Sequence, residues 1–226
     1  MGELVYSMNE QWIVFLGPPG CGKGTHSAYL AERFGFATIN VGDLLRANTD
    51  KLVYGMGRTV GELLSNGSLL PDDAVMSFVI EKIMGTHGSG TKVLFDGFPR
   101  TLVQARSLRD VSLKFGTVLS KVINFSIDDD VLVKRVLGRY RCLNCGKVYN
   151  EFFLKPSRDG VCDVCGCSEF DRRSDDNEAS LKKRLSEYHT KTYPLIDFYL
   201  ECGILYDIDA SRSIEEVRNS VLEVLR

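Results

Sequence analysis

Gly17-Pro18-Pro19-Gly20-Cys21-Gly22-Lys23-Gly24-Thr25 is a glycine-rich loop closed by a lysine and, two places on, a hydroxyl. Glycines let successive backbone N–H groups wrap around phosphate oxygens with no Cβ in the way. A following helix N-terminus adds partial positive charge, and Lys23 adds a full one. In the general P-loop pattern the hydroxyl follows the lysine directly; here it comes one residue later. Asp96-Gly97-Phe98-Pro99-Arg100 is a second candidate set. An acid at a strand end beside a P-loop is placed to hold Mg²⁺, directly or through water, although capping the next element is its plainer use.

Cys142-Leu143-Asn144-Cys145-Gly146 and Cys162-Asp163-Val164-Cys165-Gly166 form two matched knuckles with sixteen residues between Cys145 and Cys162. Such turns place four thiolates tetrahedrally, which suits a structural Zn²⁺ with no position left for substrate. Iron fits the same ligands, and unligated thiols or two disulfides are the alternatives. Cys167 lies two residues beyond Cys165 and competes for the assignment; Cys21, Cys167 and Cys202 are otherwise unpaired thiols. Acids within the insert (Glu151, Asp159, Asp163, Glu169, Asp171) weaken a nucleic-acid role for it.

The basic residues that need explaining are Lys23, Arg46, Arg100, Arg135, Arg139, Arg173 and Arg184. Arg135 and Arg139 are spaced one helical turn apart beside Val131, and Arg184 sits on the stripe Leu181, Leu185, Tyr188, Thr192, Leu195. A solvated face is the ordinary fate of a lone helical arginine, but three on apolar stripes point inward to an anionic partner. Arginine's planar fork binds phosphate oxygens bidentately, and this many forks suit two phosphorylated substrates. Asp175 with Glu178 has the spacing of a capping box opening the next helix, and Gly203 that of its C-terminal cap.

These groups must be carried by a framework, and 226 residues suffice for one or two domains. Net charge of −2 and a pI near 6.0 give no basic footprint for nucleic acid. No apolar run is long enough to cross a bilayer, and no secretory signal is visible, so a cytoplasmic protein is expected. Residues 1–11 read as a short flexible leader; Met1-Gly2 begins a myristoylation pattern that fails at Tyr6.

Short apolar runs at Trp12–Leu16, Ala37–Val41, Lys92–Phe95, Val122–Phe125 and Ile204–Ile208 alternate with helical patterns at about 24–34, 43–65, 72–84, 101–114, 128–138, 177–202 and 213–225. Strands without polar alternation, separated by helices, predict an α/β fold: a five-stranded parallel sheet covered on both faces. Ligands then bind at the C-terminal ends of the strands. Residues 42–70 form a helical excursion with glycines at 55, 57, 61 and 67, and 140–176 lack helical periodicity.

The chain resembles adenylate kinase of the long-lid type over nearly its whole length. The resemblance rests on Gly17–Thr25, Gly42-Asp43-Leu44-Leu45-Arg46, Asp96–Thr101 with Gln104, Gly138-Arg139 and Arg172–Glu178. It implies a P-loop kinase core (1–41, 71–138 and 177–226), a helical monophosphate-binding domain (42–70) and a zinc-ribbon-like lid (139–176). It implies ATP on Gly20, Cys21, Gly22, Lys23, Gly24 and Thr25, with Arg139, Val148, Tyr149 and Arg212. AMP would meet Val41, Arg46, Ser68, Leu69, Leu70, Gly97, Phe98, Pro99, Arg100, Gln104, Arg173 and Arg184. Lys23, Arg100, Arg135, Arg139, Arg173 and Arg184 would be catalytic, and Mg·ATP + AMP ⇌ 2 ADP the reaction of a monomer. Valine at 41 replaces the family's usual threonine, which keeps shape and loses a hydroxyl, and His26 stands where glutamine is usual. Another phosphate donor or acceptor on the same fold is the alternative. A P-loop switch has no need of Asp96–Arg100, and a zinc-ribbon nucleic-acid module conflicts with the acidic pI.

Overall fold

A computed structural model describes residues 11–53, 55–65, 69–86 and 91–226. The expected leader lies outside the described residues except for Gln11, which opens the first strand. The first elements are β1 (Gln11–Leu16), α1 (Lys23–Phe34), β2 (Ala37–Asn40), α2 (Val41–Arg46), β3 (Leu52–Val53), β4 (Arg58–Thr59), α3 (Val60–Ser65) and α4 (Asp72–Thr86). β5 (Val93–Asp96), α5 (Leu102–Lys114), β6 (Val118–Ser126) and α6 (Asp129–Leu137) complete the first half of the core. After them come β7 (Arg139–Cys142), β8 (Val148–Asn150), β9 (Phe170–Asp171), α7 (Glu178–Glu187), a π-helical turn (Tyr188–Thr192), α8 (Leu195–Glu201), β10 (Leu205–Asp209) and α9 (Ile214–Leu225).

The core sheet has the order β10-β6-β1-β5-β2, with every neighbour parallel. Its faces explain the unalternating strands. Trp12, Val14 and Leu16 enter one apolar cluster with Phe95 and Val122, while Ile13 and Phe15 enter the other with Leu94, Ile123 and Phe125. Both faces are covered, so every position of β1 gains from apolar character. The chain leaves β1 for β2 on one side and reaches β6 on the other, which puts a switch point at the C-terminal ends of β1 and β5.

Three expectations for the elements need correction. The helical pattern at 43–65 is two short helices split by the β3–β4 hairpin, whose turn holds Gly55 and Gly57 at positive φ. The run 177–202 is likewise interrupted. Pro194 has no N–H to give and its ring crowds the preceding turn, and the chain widens there, Tyr193 N donating to Tyr188 O at 2.8 Å. Helix α6 stops at Leu137, so Arg139 is the first residue of a strand and does not share a helix face with Arg135. Residues 139–171 form a separate three-stranded antiparallel sheet, β8-β7-β9.

Candidate active site

The P-loop runs from the end of β1 into α1. Gly17, Gly20 and Gly22 all have positive φ, and a Cβ on Gly17 would stand 2.8 Å from both Cys21 Sγ and Phe125 O. Gly22 caps α1, and Lys23 is its first residue, so the loop's N–H groups and the helix N-terminus face the same space. Lys23 Nζ donates to Gly17 O at 2.7 Å and Pro18 O at 2.8 Å, folding the ammonium over the loop. Gly24 and Thr25 are exposed and Cys21 is buried.

Asp96 ends β5, buried beside this loop. Asn40 Nδ2 donates to its Oδ2 at 2.8 Å, and Ser27 Oγ approaches the same oxygen at 3.3 Å. Burial pushes its carboxyl above the usual range, with Lys23 and the Ser27 hydroxyl pulling the other way. A buried hard oxygen donor next to the phosphate loop fits Mg²⁺.

On the facing side, Gly97 O accepts from Arg100 Nε at 2.8 Å, across a turn with a cis Phe98–Pro99 bond. Burial, then Arg184 and Arg46 nearby, push the Arg100 guanidinium down to about 10. Burial and the neighbouring Arg139 and Arg46 do the same to Arg173, also to about 10. Arg184 is lowered by burial too, its carboxylate partners Asp175 and Asp176 opposing. Arginines repelling one another around a shared space are placed for an anionic ligand.

Acids hold this cluster, one of them, Asp175, assigned by sequence spacing to a cap. Asp176, its side chain 1% exposed, takes Arg139 bidentately (2.7 and 2.5 Å) and Arg184 at 3.5 Å. Asp175 pairs with Arg184 at 3.2 Å and Arg46 at 3.8 Å. Burial alone would lift its carboxyl; Arg184 and Arg46, with Arg139 and Arg173, outweigh it and hold Asp175 low. The capping box expected of Asp175 and Glu178 is therefore absent. Asn177 caps α7, accepting from Ser180 N at 2.9 Å. Asp43 joins Arg46 (2.6 Å) and Arg173 (3.3 Å).

Gln104 is buried, its Oε1 accepting from Arg100 N at 2.7 Å and its Nε2 donating to Asp72 Oδ1 at 2.8 Å. Val41, the first residue of α2, and Leu70 are buried, Leu69 is half-buried, and Ser68 lies outside the described residues. Phe98 and Pro99 are buried, leaving Gly97 and the backbone as the accessible part of that turn. Arg135 donates from Nη1 to Ala210 O at 2.9 Å, and its guanidinium lies 5.9 Å from the Phe153 ring centre. Arg212 is exposed beyond the edge strand β10, paired with Asp209 at 3.2 Å.

In the lid, Arg141 pairs with Val148 and Tyr140 with Tyr149. Cross-strand partners share a face, so Arg139, Arg141 and Val148 line the open side, a shallow concavity with Arg173 and Asp176. Tyr149, expected toward ATP, turns its ring the other way. It is buried against Tyr140 and Phe170, its hydroxyl accepting from Asp163 N at 2.8 Å and standing 3.5 Å from Cys162 Sγ.

On that inner side, Cys142, Cys145, Cys162 and Cys165 bring their sulfurs within 4.8 Å of one another. Cys142–Cys165 and Cys145–Cys162 are each 3.5 Å apart, far beyond a disulfide and near the ~3.8 Å edge of a tetrahedron with Zn–S of about 2.3 Å. The knuckles repeat one geometry. Gly146 and Gly166 have φ of 72° and 71°, and their N–H groups return to Cys142 O and Cys162 O. The Tyr149 hydroxyl, foremost among several donors, draws the Cys162 thiol down to about 6. Cys167 instead contacts Glu169, outside the cluster. These thiols fit a tetrahedral metal.

Asn40, Asp43, Asp72 and the arginine-binding role of Asp175–Asp176 were not visible in the spacing. An Asn at a strand–helix junction is a cap signal, but only the register shows that its other end reaches Asp96. Among the described residues no helix is long and apolar enough to cross a membrane.

The adenylate kinase family model matches residues 15–204. The adenylate kinase of Rickettsia africae (strain ESF-5) is 39% identical over 218 residues, covering 95% of this chain and 98% of its own. That of Rickettsia typhi (strain ATCC VR-144 / Wilmington) is 40% identical with the same coverage. That of Erythrobacter litoralis (strain HTCC2594) is 39% identical over 214 residues, 95% and 99% of the two chains.

Proposed function

This chain belongs to the adenylate kinase family, a phosphotransferase family, and we propose that its two charged surfaces divide the two nucleotides of ATP + AMP ⇌ 2 ADP between them. The observation that carries the division is the pair of cationic sets: the Lys23 loop at the end of β1, and the Arg46–Arg100–Arg173–Arg184 group facing it. On this reading Gly20–Thr25 bind the ATP phosphates, and Arg139, Val148 and Arg212 contact ATP from the lid and the β10 edge. Arg46, Arg100, Arg173 and Arg184 hold the AMP phosphate, with Val41, Leu69, Leu70, Gly97–Pro99 and Gln104 around its nucleoside. Gln104 acts chiefly by fixing Arg100 N, since both ends of its amide already have partners.

Phosphoryl transfer asks little covalent work of the protein. An AMP phosphate oxygen attacks the γ-phosphorus, a P–O bond forms as the bond to ADP breaks, and charge spreads over the transferred group. Lys23, Arg100, Arg135, Arg139, Arg173 and Arg184 stabilise that charge. Mg²⁺, when bound, neutralises the phosphates, and Asp96 would hold it directly or through water. Asp175, Asp176 and Asp43 keep the guanidiniums oriented until phosphate replaces them. Closing the lid over the site excludes water as a competing acceptor.

The same proposal makes 1–41, 71–138 and 177–226 the core, 42–70 the monophosphate-binding domain and 139–176 a lid whose four cysteines hold a structural Zn²⁺. It also makes the protein a cytoplasmic monomer acting on small molecules, with no nucleic-acid or membrane partner. Purified protein with Mg²⁺, ATP and AMP should yield ADP. Removing the Lys23 charge about 4 Å from a phosphate is worth about 4 kcal/mol at an effective dielectric near 20, roughly a thousandfold. Lys23→Met should lose that much activity; ATP loss that does not depend on AMP would contradict the assignment.

A further inference from the structure

Asn40 serves two groups with one amide. The register of β2 on β5 sets it directly opposite Asp96, and partners in neighbouring strands present side chains to the same face. No loop follows: the last residue of β2 is also the N-cap of α2. Its Oδ1 accepts from Asp43 N at 2.9 Å, and its Nδ2 donates to Asp96 Oδ2 at 2.8 Å. The orientation of the amide is forced, because a backbone N–H only donates and an ionised carboxylate only accepts. Serine, threonine or aspartate would satisfy the cap alone. A hydroxyl also both accepts and donates, but from a single atom one bond short of Nδ2, so only the two-atom fork of an amide at this reach meets cap and carboxylate together.

The capped helix carries Val41, Asp43 and Arg46, the acceptor side of the site. Asp96 faces the donor side. Ser27, the other donor to that oxygen, comes from α1, its hydroxyl lying between Asp96 and Gly24 O. We propose that Asn40 is a positioning residue that holds the Asp96 carboxylate in register with the acceptor-binding helix, so that the metal-holding group and the AMP arm move as one. The proposal rests on Asp96 as the Mg²⁺ group.

Asn40→Ser separates the two roles, keeping a capping oxygen and losing the N–H to Asp96; Asn40→Thr repeats the design should the serine variant be unstable. The measurements are calorimetric titration of Mg²⁺ into an equimolar mixture of protein and the non-transferable ATP analogue with a β,γ-imido bridge, the melting temperature, and kcat and KM for AMP. Asn40→Ser should melt within about 2 °C of the parent, because its cap survives. Its Mg²⁺ affinity should fall about tenfold, the lower end for losing an outer-sphere partner, and kcat should fall more than KM for AMP rises. In an Asp96→Asn background the same substitution should have no further effect on Mg²⁺ affinity. Unchanged Mg²⁺ affinity in Asn40→Ser, with Asp96→Asn impaired, overturns the role of Asn40. Unchanged affinity in Asp96→Asn itself overturns the metal assignment of Asp96, and the proposal with it.

Discussion

On the proposed zinc assignment, taking the metal from the lid should melt the lid before the core. Cys142→Ser removes one thiolate from a cluster whose four sulfurs converge within 4.8 Å. Besides its hydrogen bonds and the Arg139–Asp176 pair, the lid has little apolar packing to hold it. Its own apolar cluster is Cys142, Tyr149 and Cys162, with Tyr140, Leu154, Cys167 and Phe170 partly covered. At about 1.5–3 kcal/mol per large buried side chain, that cluster contributes on the order of 10 kcal/mol, opposed by the cost of ordering the chain. A structural Zn²⁺ in such a site is worth about 10–16 kcal/mol at neutral pH, as much as the whole apolar cluster. Hydrogen exchange followed by mass spectrometry is the direct assay. Protection should vanish across β7, β8 and β9 in Cys142→Ser, while β1, β5 and β6 stay protected, and calorimetry should show a separate low-temperature transition. Phosphoryl transfer should weaken as well, because Arg139 is carried on β7. Full protection of β7–β9 in protein shown by elemental analysis to hold no metal would refute this reasoning.

Two further outcomes concern buried charge. His26 is 4% exposed and stacked on Phe125, and burial, with Arg218 and Arg135 adding, pushes it down to about 4. The fold thus favours neutral imidazole. That contribution, on the order of 3 kcal/mol, is complete above about pH 6.5 and disappears as pH falls toward 4. Urea midpoints at pH 7 and pH 5 should differ less in His26→Gln than in the parent; equal differences would contradict it. Asp176→Asn strands Arg139 beside a neutral group in a largely buried setting, while Arg184 keeps Asp175. A cost of about 2–4 kcal/mol, or roughly 5–10 °C in melting temperature, is expected, and an unchanged melt would show that the pairs contribute nothing.

The core sheet was legible because parallel strands buried on both faces leave continuous apolar runs, as in Trp12–Leu16. The P-loop was legible because phosphate binding demands glycine where other residues are strained. Less legible were features decided by tertiary context. The β3–β4 hairpin has two residues per strand, too few for a period to emerge. Arg139 sits four residues after Arg135, a spacing that mimics a helix turn even though the helix ends two residues earlier. Asp175 had a local explanation as a cap, and nothing in its neighbourhood along the chain signals that its partners are Arg184 and Arg46. Acids that hold arginines are invisible to motif spacing because their partners come from other elements.

Strand β7 is four residues long, with Arg139 at one end and Cys142 at the other. At about 3.4 Å per residue, some 10 Å of rigid backbone joins the guanidinium proposed to meet phosphate to a sulfur of the four-thiol cluster. The two positions also fall on opposite faces, so a slip of one residue would swap them. The strand therefore acts as a gauge block between two chemistries. Within these four residues, one added or lost amino acid would spoil the metal site and the phosphate contact at once.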